Sequence, residues 1–188
     1  MNPVGASVVA PNALPVFTIG HSTRPIADFL ELLTGAGVEL VVDVRTVPRS
    51  RRNPQYDQAT LPGTLAAAGI GYEHAPGLGG FRRPVDDSPN TGWRNLSFRG
   101  YADYMQTPEF EDQLRKLDDT ARRQPVVLMC AEAVPWRCHR SLIADALVVR
   151  GRLVEELISG PRRRAHRLTR FARVSGTTIT YPPGAAAP

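Results

Sequence analysis

Lysine is almost missing from this 188-residue chain: Lys116 is the only one among 23 basic residues. With the arginine count so biased, a net charge of +5 is by itself a poor signature of nucleic-acid binding. Cysteine is nearly as scarce, with Cys130 and Cys138 alone. Two cysteines this close in sequence, one ending an apolar run, do not make a disulfide framework. The first residues also lack the basic start and long apolar stretch of a secretory signal, so a reducing, cytoplasmic setting is expected. No apolar run approaches the roughly 20 residues of a membrane-spanning helix, which predicts a soluble protein with no membrane partner. Neither a Gly-x-Gly-x-x-Gly nor a P-loop pattern is present, so dinucleotide or ATP use is not supported and no cofactor is assigned.

What is there reads as alternating strands and helices. Residues 1–14 lack periodicity and are expected to be a mobile extension. Val16-Phe17-Thr18-Ile19 forms a short apolar run, followed by a turn at Gly20-His21-Ser22 and a helix with Thr23 near its cap and Pro25 in its first turn. Val38 to Val44 is nearly continuous in apolar residues, which suits a parallel strand covered on both faces. The stretch around Leu61 and Leu65 is a weaker helix interrupted by Pro62, and Ile70 to His74 is a third strand. Residues 77–100 are rich in Gly, Pro, Arg, Asn and Asp, and a loop of that length is expected to be a lid. Thr107-Pro108-Glu109 caps a helix with Phe110, Leu114, Leu117 and Ala121 on one face. The run ending in Cys130, the helix after Cys138 and a fifth strand over 153–158 complete the pattern.

This order predicts a single-domain α/β three-layer sandwich over residues 15–160, Rossmann-like, with a mostly parallel sheet of about five strands. Residues 161–188 hold six arginines and no acid, whereas the rest of the chain carries 17 basic and 18 acidic residues. This basic segment is expected to pack on the domain. Ligands of such sheets bind outside the carboxyl ends of the strands. The polar residues His21 and Ser22, Asp43 and Arg45, His74, Cys130 and Glu132 all fall at those ends.

Five stretches, taken together, resemble the domain of unknown function 488 family. They are Thr18 to Ser22, Asp43-Val44-Arg45 with Pro48 and Ser50, Leu78-Gly79-Gly80, Tyr101 to Met105, and Met129 to Glu132 with Cys138-His139-Arg140. The likeness covers most of residues 16–158, and segments 167–174 and 180–182 look like the endings of longer members. It implies a Rossmann-like domain and carries no settled activity.

The Cys130 to Arg140 segment supports three chemistries. A cysteine thiolate can be the nucleophile, its pKa lowered by a helix N-terminus and by Arg137, Arg140 or His139. Phosphatases and rhodaneses wrap such a loop around an anion, but six residues separate Cys130 from Arg137, so that likeness is an analogy. Alternatively, Cys130, Cys138 and His139, with His21 or His74, ligate zinc, although the spacing departs from a Cys-x-x-Cys knuckle and no metal set is assigned. In the third, Glu132 and Asp43 act as an acid–base pair. Bland roles stand beside these: Cys130 as core filler, Asp43 with Arg45 as a structural pair, and His21 as a cap. Cys138 at a helix start is the better reactive candidate.

The residues assigned are thus Cys138, Glu132, Asp43 and Cys130 for catalysis, with His21, Ser22, Arg45, Ser50, His74, His139 and Arg140 for substrate. Arginines at 45, 49, 51, 52, 82, 83, 137 and 140 point to an anionic small molecule, phosphate-bearing or nucleotide-like. The leading expectation is an enzyme, a hydrolase or transferase using a cysteine or carboxylate. The alternatives are a nucleic-acid-binding or -modifying protein with Tyr56, Trp93 and Trp136 stacking on bases, and a thiol redox or metal-binding sensor.

Overall fold

The computed structural model describes residues 14–160 and 162–183; most of the expected N-terminal extension lies outside the described residues. Six strands form one sheet in the order β3-β2-β4-β1-β5-β6. These are β1 (Val16–Gly20), β2 (Leu40–Asp43), β3 (Gly71–His74), β4 (Val126–Cys130), β5 (Val154–Ser159) and β6 (Arg162–Ala165). The first five pair in parallel, and β6 runs antiparallel along β5. The sheet therefore has one strand more than expected, contributed by the basic segment.

Every residue of β4 is buried, because helices cover both faces. Val126, Leu128 and Cys130 face one half of the core and Val127 and Met129 the other, the period-2 alternation of a strand. Against the second face lie α1 (Ile26–Ala36), through Phe29 and Leu33, and α2 (Leu61–Ala67), through Leu61 and Leu65. Against the first lie α3 (Leu96–Tyr104), α4 (Pro108–Ala121) and α5 (Arg140–Val149). Burying each of these Phe and Leu side chains contributes roughly 1.5–3 kcal/mol.

The helix ends follow local chemistry. Thr107 caps α4 by accepting a hydrogen bond from the Phe110 amide (3.3 Å), with Pro108 and two acids in the first turn, as the sequence predicts. Helix α1 differs: Pro25 occupies its N-cap and no side chain caps it, so Thr23 lies outside the turn it was expected to close. Pro62 sits in the first turn of α2, where its missing N–H is harmless, and begins that helix rather than interrupting it.

The segment expected to be a lid is tied down. Asp103 on α3 accepts hydrogen bonds from the Val85 amide (3.0 Å), the Ser88 hydroxyl (2.6 Å) and the Asn90 amide side chain (2.7 Å). Arg82 bonds Gly77 O (2.9 Å) and stacks over Tyr104. Beyond β6, a ribbon of β7 (Arg173–Ser175) and β8 (Thr178–Thr180) leads to Tyr181, whose ring is fully buried. No helix among the described residues is long and apolar enough to cross a membrane.

Candidate functional site

The carboxyl ends of β1, β2 and β4 lie side by side, with Gly20 opposite Cys130 and Asp43 opposite Met129. A side chain at Gly20 would collide with the Glu132 carbonyl, so this glycine permits the loop after β4 to fold back over β1. The Ser22 amide bonds Ala131 O (2.9 Å), and Arg140, 1% exposed, reaches the carbonyls of Glu132 and Ala133, the latter at 3.0 Å. Loop 131–139 is thus clamped from both sides. It carries Cys138 to the start of α5.

A cavity of about 330 Å³ opens at this place. Its wall contains Cys130, Glu132, Cys138 and His139 from the loop, Arg45, Arg49 and Ser50 after β2, and His21. Larger open hollows exist elsewhere, one of about 830 Å³ near Arg24 and Arg163 and one of about 1000 Å³ beside Trp136, but neither gathers the cysteines.

Cys138 and His139 stand side by side on this wall. The Cys138 Sγ lies 3.8 Å from His139 Nδ1. His139 Nε2 lies 3.1 Å from Val44 O, and since a carbonyl only accepts, the proton is placed on Nε2 and the Nδ1 lone pair faces the sulfur. Hydrogen bonding from Cys130, and the charge and N–H groups of Arg140 at the helix start, hold the Cys138 thiol down at about 7. The same contact with Cys138, together with burial, pushes Cys130 well above the ordinary thiol range. The two cysteines therefore differ, and Cys138 is the more readily ionised.

The other residues fall into two groups. Arg49, Arg137, Ser50 and the exposed Glu132 line the cavity, and neither of these two exposed arginines pairs with a carboxylate among the described residues. Asp43, Arg45 and His21 are engaged internally. Arg45 donates to both oxygens of the fully buried Asp43, through Nε at 2.8 Å and Nη2 at 2.5 Å, and to Tyr56 O at 2.8 Å. Tyr72 donates to Asp43 Oδ2 (2.8 Å). With its acceptors occupied, Asp43 supports the floor of the cavity and does not face it. Burial lowers His21 to about 4, so it is neutral: its Nδ1–H donates to Ser22 O (2.9 Å) and its Nε2 accepts from Arg45 Nη1 (3.2 Å).

Three positions expected to bind substrate lie away from the cavity wall. His74 bonds Arg45 O (2.9 Å) and Gln58 (3.4 Å) and faces a separate hollow of about 90 Å³ with Glu73 and Lys116. Ser22 turns out through a left-handed conformation, φ 50°, and Arg140 acts on the loop rather than on the cavity. The stacking role expected of Tyr56 fails on burial, since its ring is enclosed and stacks on His21 at 4.1 Å; Trp93 is half-buried, packs among Phe98, Phe171 and Tyr181, and lines the hollow beside Trp136. Phe81 and Phe98 at the cavity were not anticipated; Phe81 is 81% exposed, and an apolar ring in a Gly/Arg-rich loop was the only signal.

Sequence reading also missed His166. Its Nε2 lies 2.8 Å from Asp145 Oδ1 and its Nδ1 3.0 Å from Glu156 Oε1, so both nitrogens donate to carboxylates and the ring is a cation. These contacts outweigh burial and raise it to about 9. Tyr181 (2.9 Å to Asp145 Oδ2) and the Thr169 amide (3.1 Å to Oδ1) complete the cluster.

No curated protein and no solved structure matches the chain. The family described as domain of unknown function DUF488 matches residues 25–147, from α1 through most of α5, a span that includes Asp43, Arg45, Cys130, Cys138 and His139. With well over half of its length covered, the chain belongs to that family.

Proposed function

We propose that the protein is an enzyme acting on a small anionic substrate, phosphate-bearing or nucleotide-like, with the Cys138 thiolate and His139 as its reactive centre. The observation that carries this reading is the meeting of a stabilised thiolate with Arg49 and Arg137 in one cavity of about 330 Å³. That volume suits a metabolite rather than a protein segment. Arg49 and Arg137 bind the anion by paired N–H donors. His139 Nδ1 exchanges a proton with the sulfur or the substrate, and Glu132 at the rim moves a proton to or from solvent. Asp43 and His21 act by position: they hold Arg45 and the strand ends in place.

Binding of inorganic phosphate and nucleoside monophosphates, followed by calorimetry, tests the reading. Wild-type binding that weakens at least tenfold in Arg49→Ala/Arg137→Ala, with turnover lost in Cys138→Ala and in Glu132→Ala, is the expected result. Unchanged anion affinity in the double arginine variant, or full activity in both single variants, removes it.

A second reading, nucleic-acid binding, is favoured by one observation. The open groove of about 1000 Å³ on the other side of the loop holds Trp136, 62% exposed, with Arg167 and Arg170. Affinity for single-stranded nucleic acid that falls steeply with salt and drops in Trp136→Ala supports it; weak, salt-insensitive binding removes it.

A further inference from the structure

Cys130 Sγ, Cys138 Sγ and a ring nitrogen of His139 lie within 4.8 Å of one another. A tetrahedral zinc ion with bonds of about 2.3 Å to sulfur and about 2.05 Å to nitrogen holds such atoms roughly 3.6–3.8 Å apart. The Cys138–His139 pair already stands at 3.8 Å. We propose that Cys130, Cys138 and His139 bind a soft divalent metal ion of the zinc class, whose fourth position opens into the anion cavity. This rests on the reading of the cavity as an anion site and deepens it: with the ion bound, Cys138 and His139 serve as its ligands, and the ion takes over the activation assigned above to the free thiolate and ring.

The surroundings fit an ion better than they fit two thiols and a ring. His139 is oriented by Val44 O on its far nitrogen, the way an outer-shell carbonyl fixes the tautomer of a ligating histidine. Gly80 leaves open the space against Nδ1, where a Cβ would come within 2.5 Å of that atom. Both cysteines are buried, at 7% and 3% exposure; two thiolates and a dication are together neutral, so burial leaves no uncompensated charge. Arg140 supplies a backbone hydrogen bond to Cys138, as outer-shell donors do for a ligating thiolate. Glu132 lines the cavity but lies outside the three-atom cluster, so the fourth position belongs to water or to an oxygen of the anion, which the ion would polarise as a Lewis acid.

Full-length protein purified without chelator, from zinc-supplemented medium, is analysed for metal after gel filtration. About one zinc per chain is expected, lost in Cys130→Ser and Cys138→Ser and bound at least tenfold more weakly in His139→Gln. Cobalt(II) added to the reduced apoprotein should give a thiolate-to-cobalt charge-transfer band that disappears in the same variants. Cys130→Ala, a small apolar replacement in the core, serves if a serine variant fails to fold by circular dichroism. Metal-free protein with no cobalt band, or zinc retained undiminished in the cysteine variants, overturns the proposal. A metal-free protein that still binds phosphate through Arg49 and Arg137 removes the ion and keeps the anion site. A zinc-loaded protein indifferent to phosphate does the reverse.

Discussion

Replacing His166 by glutamine should change how stability depends on pH more than it changes the fold. His166 is buried between Asp145 and Glu156 and titrates at about 9 instead of 6.5. A group whose folded pKa is raised contributes its full stabilisation below the unfolded value and loses it as pH rises through the folded one. The window is therefore pH 6.5 to 9, and a shift of this size corresponds to roughly 3 kcal/mol. Cys138 titrates in the same window in the opposite sense, because its depressed pKa makes the folded thiolate more favourable as pH rises. The informative quantity is thus the gap between wild type and His166→Gln, measured by urea unfolding at pH 6 and at pH 9.5. That gap should close by roughly 3 kcal/mol, or about 6–12 °C in Tm for a chain of this size. An equal gap at both pH values would refute the imidazolium bridge.

Asp43→Ala leaves the buried Arg45 without its carboxylate and should cost about 3–5 kcal/mol by chemical denaturation; a loss under about 1 kcal/mol would mean that the pair is not held as described. Gly80→Ala should displace the His139 ring while leaving the melting temperature within a few degrees of wild type. Its signature is a changed alkylation rate at Cys138, and an unchanged rate would show that the ring has room. In chelator-treated native protein, iodoacetamide should modify Cys138 first near neutral pH, with Cys130 protected until unfolding, as peptide mass mapping can establish. Equal modification would remove the division of roles between the two sulfurs.

Strand and helix identities were legible because they rest on local periodicity. The run Pro125 to Cys130 is apolar at every position, and Thr107-Pro108-Glu109 spells a helix start. The convergence of Asp43, Arg45, Cys130 and His21 was legible too, because parallel strands all end on one rim. What each of those residues does there was not. Whether Asp43 faces the cavity or Arg45 depends on where Tyr56 and Tyr72 fall, and these come from separate later segments, 11 residues beyond Arg45 and 29 beyond Asp43. Arg140 looked like a substrate ligand beside the cysteine, but its side chain turns back to loop carbonyls eight and seven residues earlier. His166 stood in a run of arginines with no local signal, since its partners lie 21 and 10 residues away.

Strand β6 gives the arginine-rich segment a use that needs no polyanion. A sheet edge presents unpaired N–H and C=O groups on which another chain can grow, and long charged side chains discourage that growth. Laid antiparallel along β5, β6 becomes the outer margin of the sheet, with Arg163 and Arg164 exposed on it and tethered to Glu155 and Glu156. Neutral replacements there should leave the chain folded while making concentrated solutions more prone to edge-to-edge aggregation.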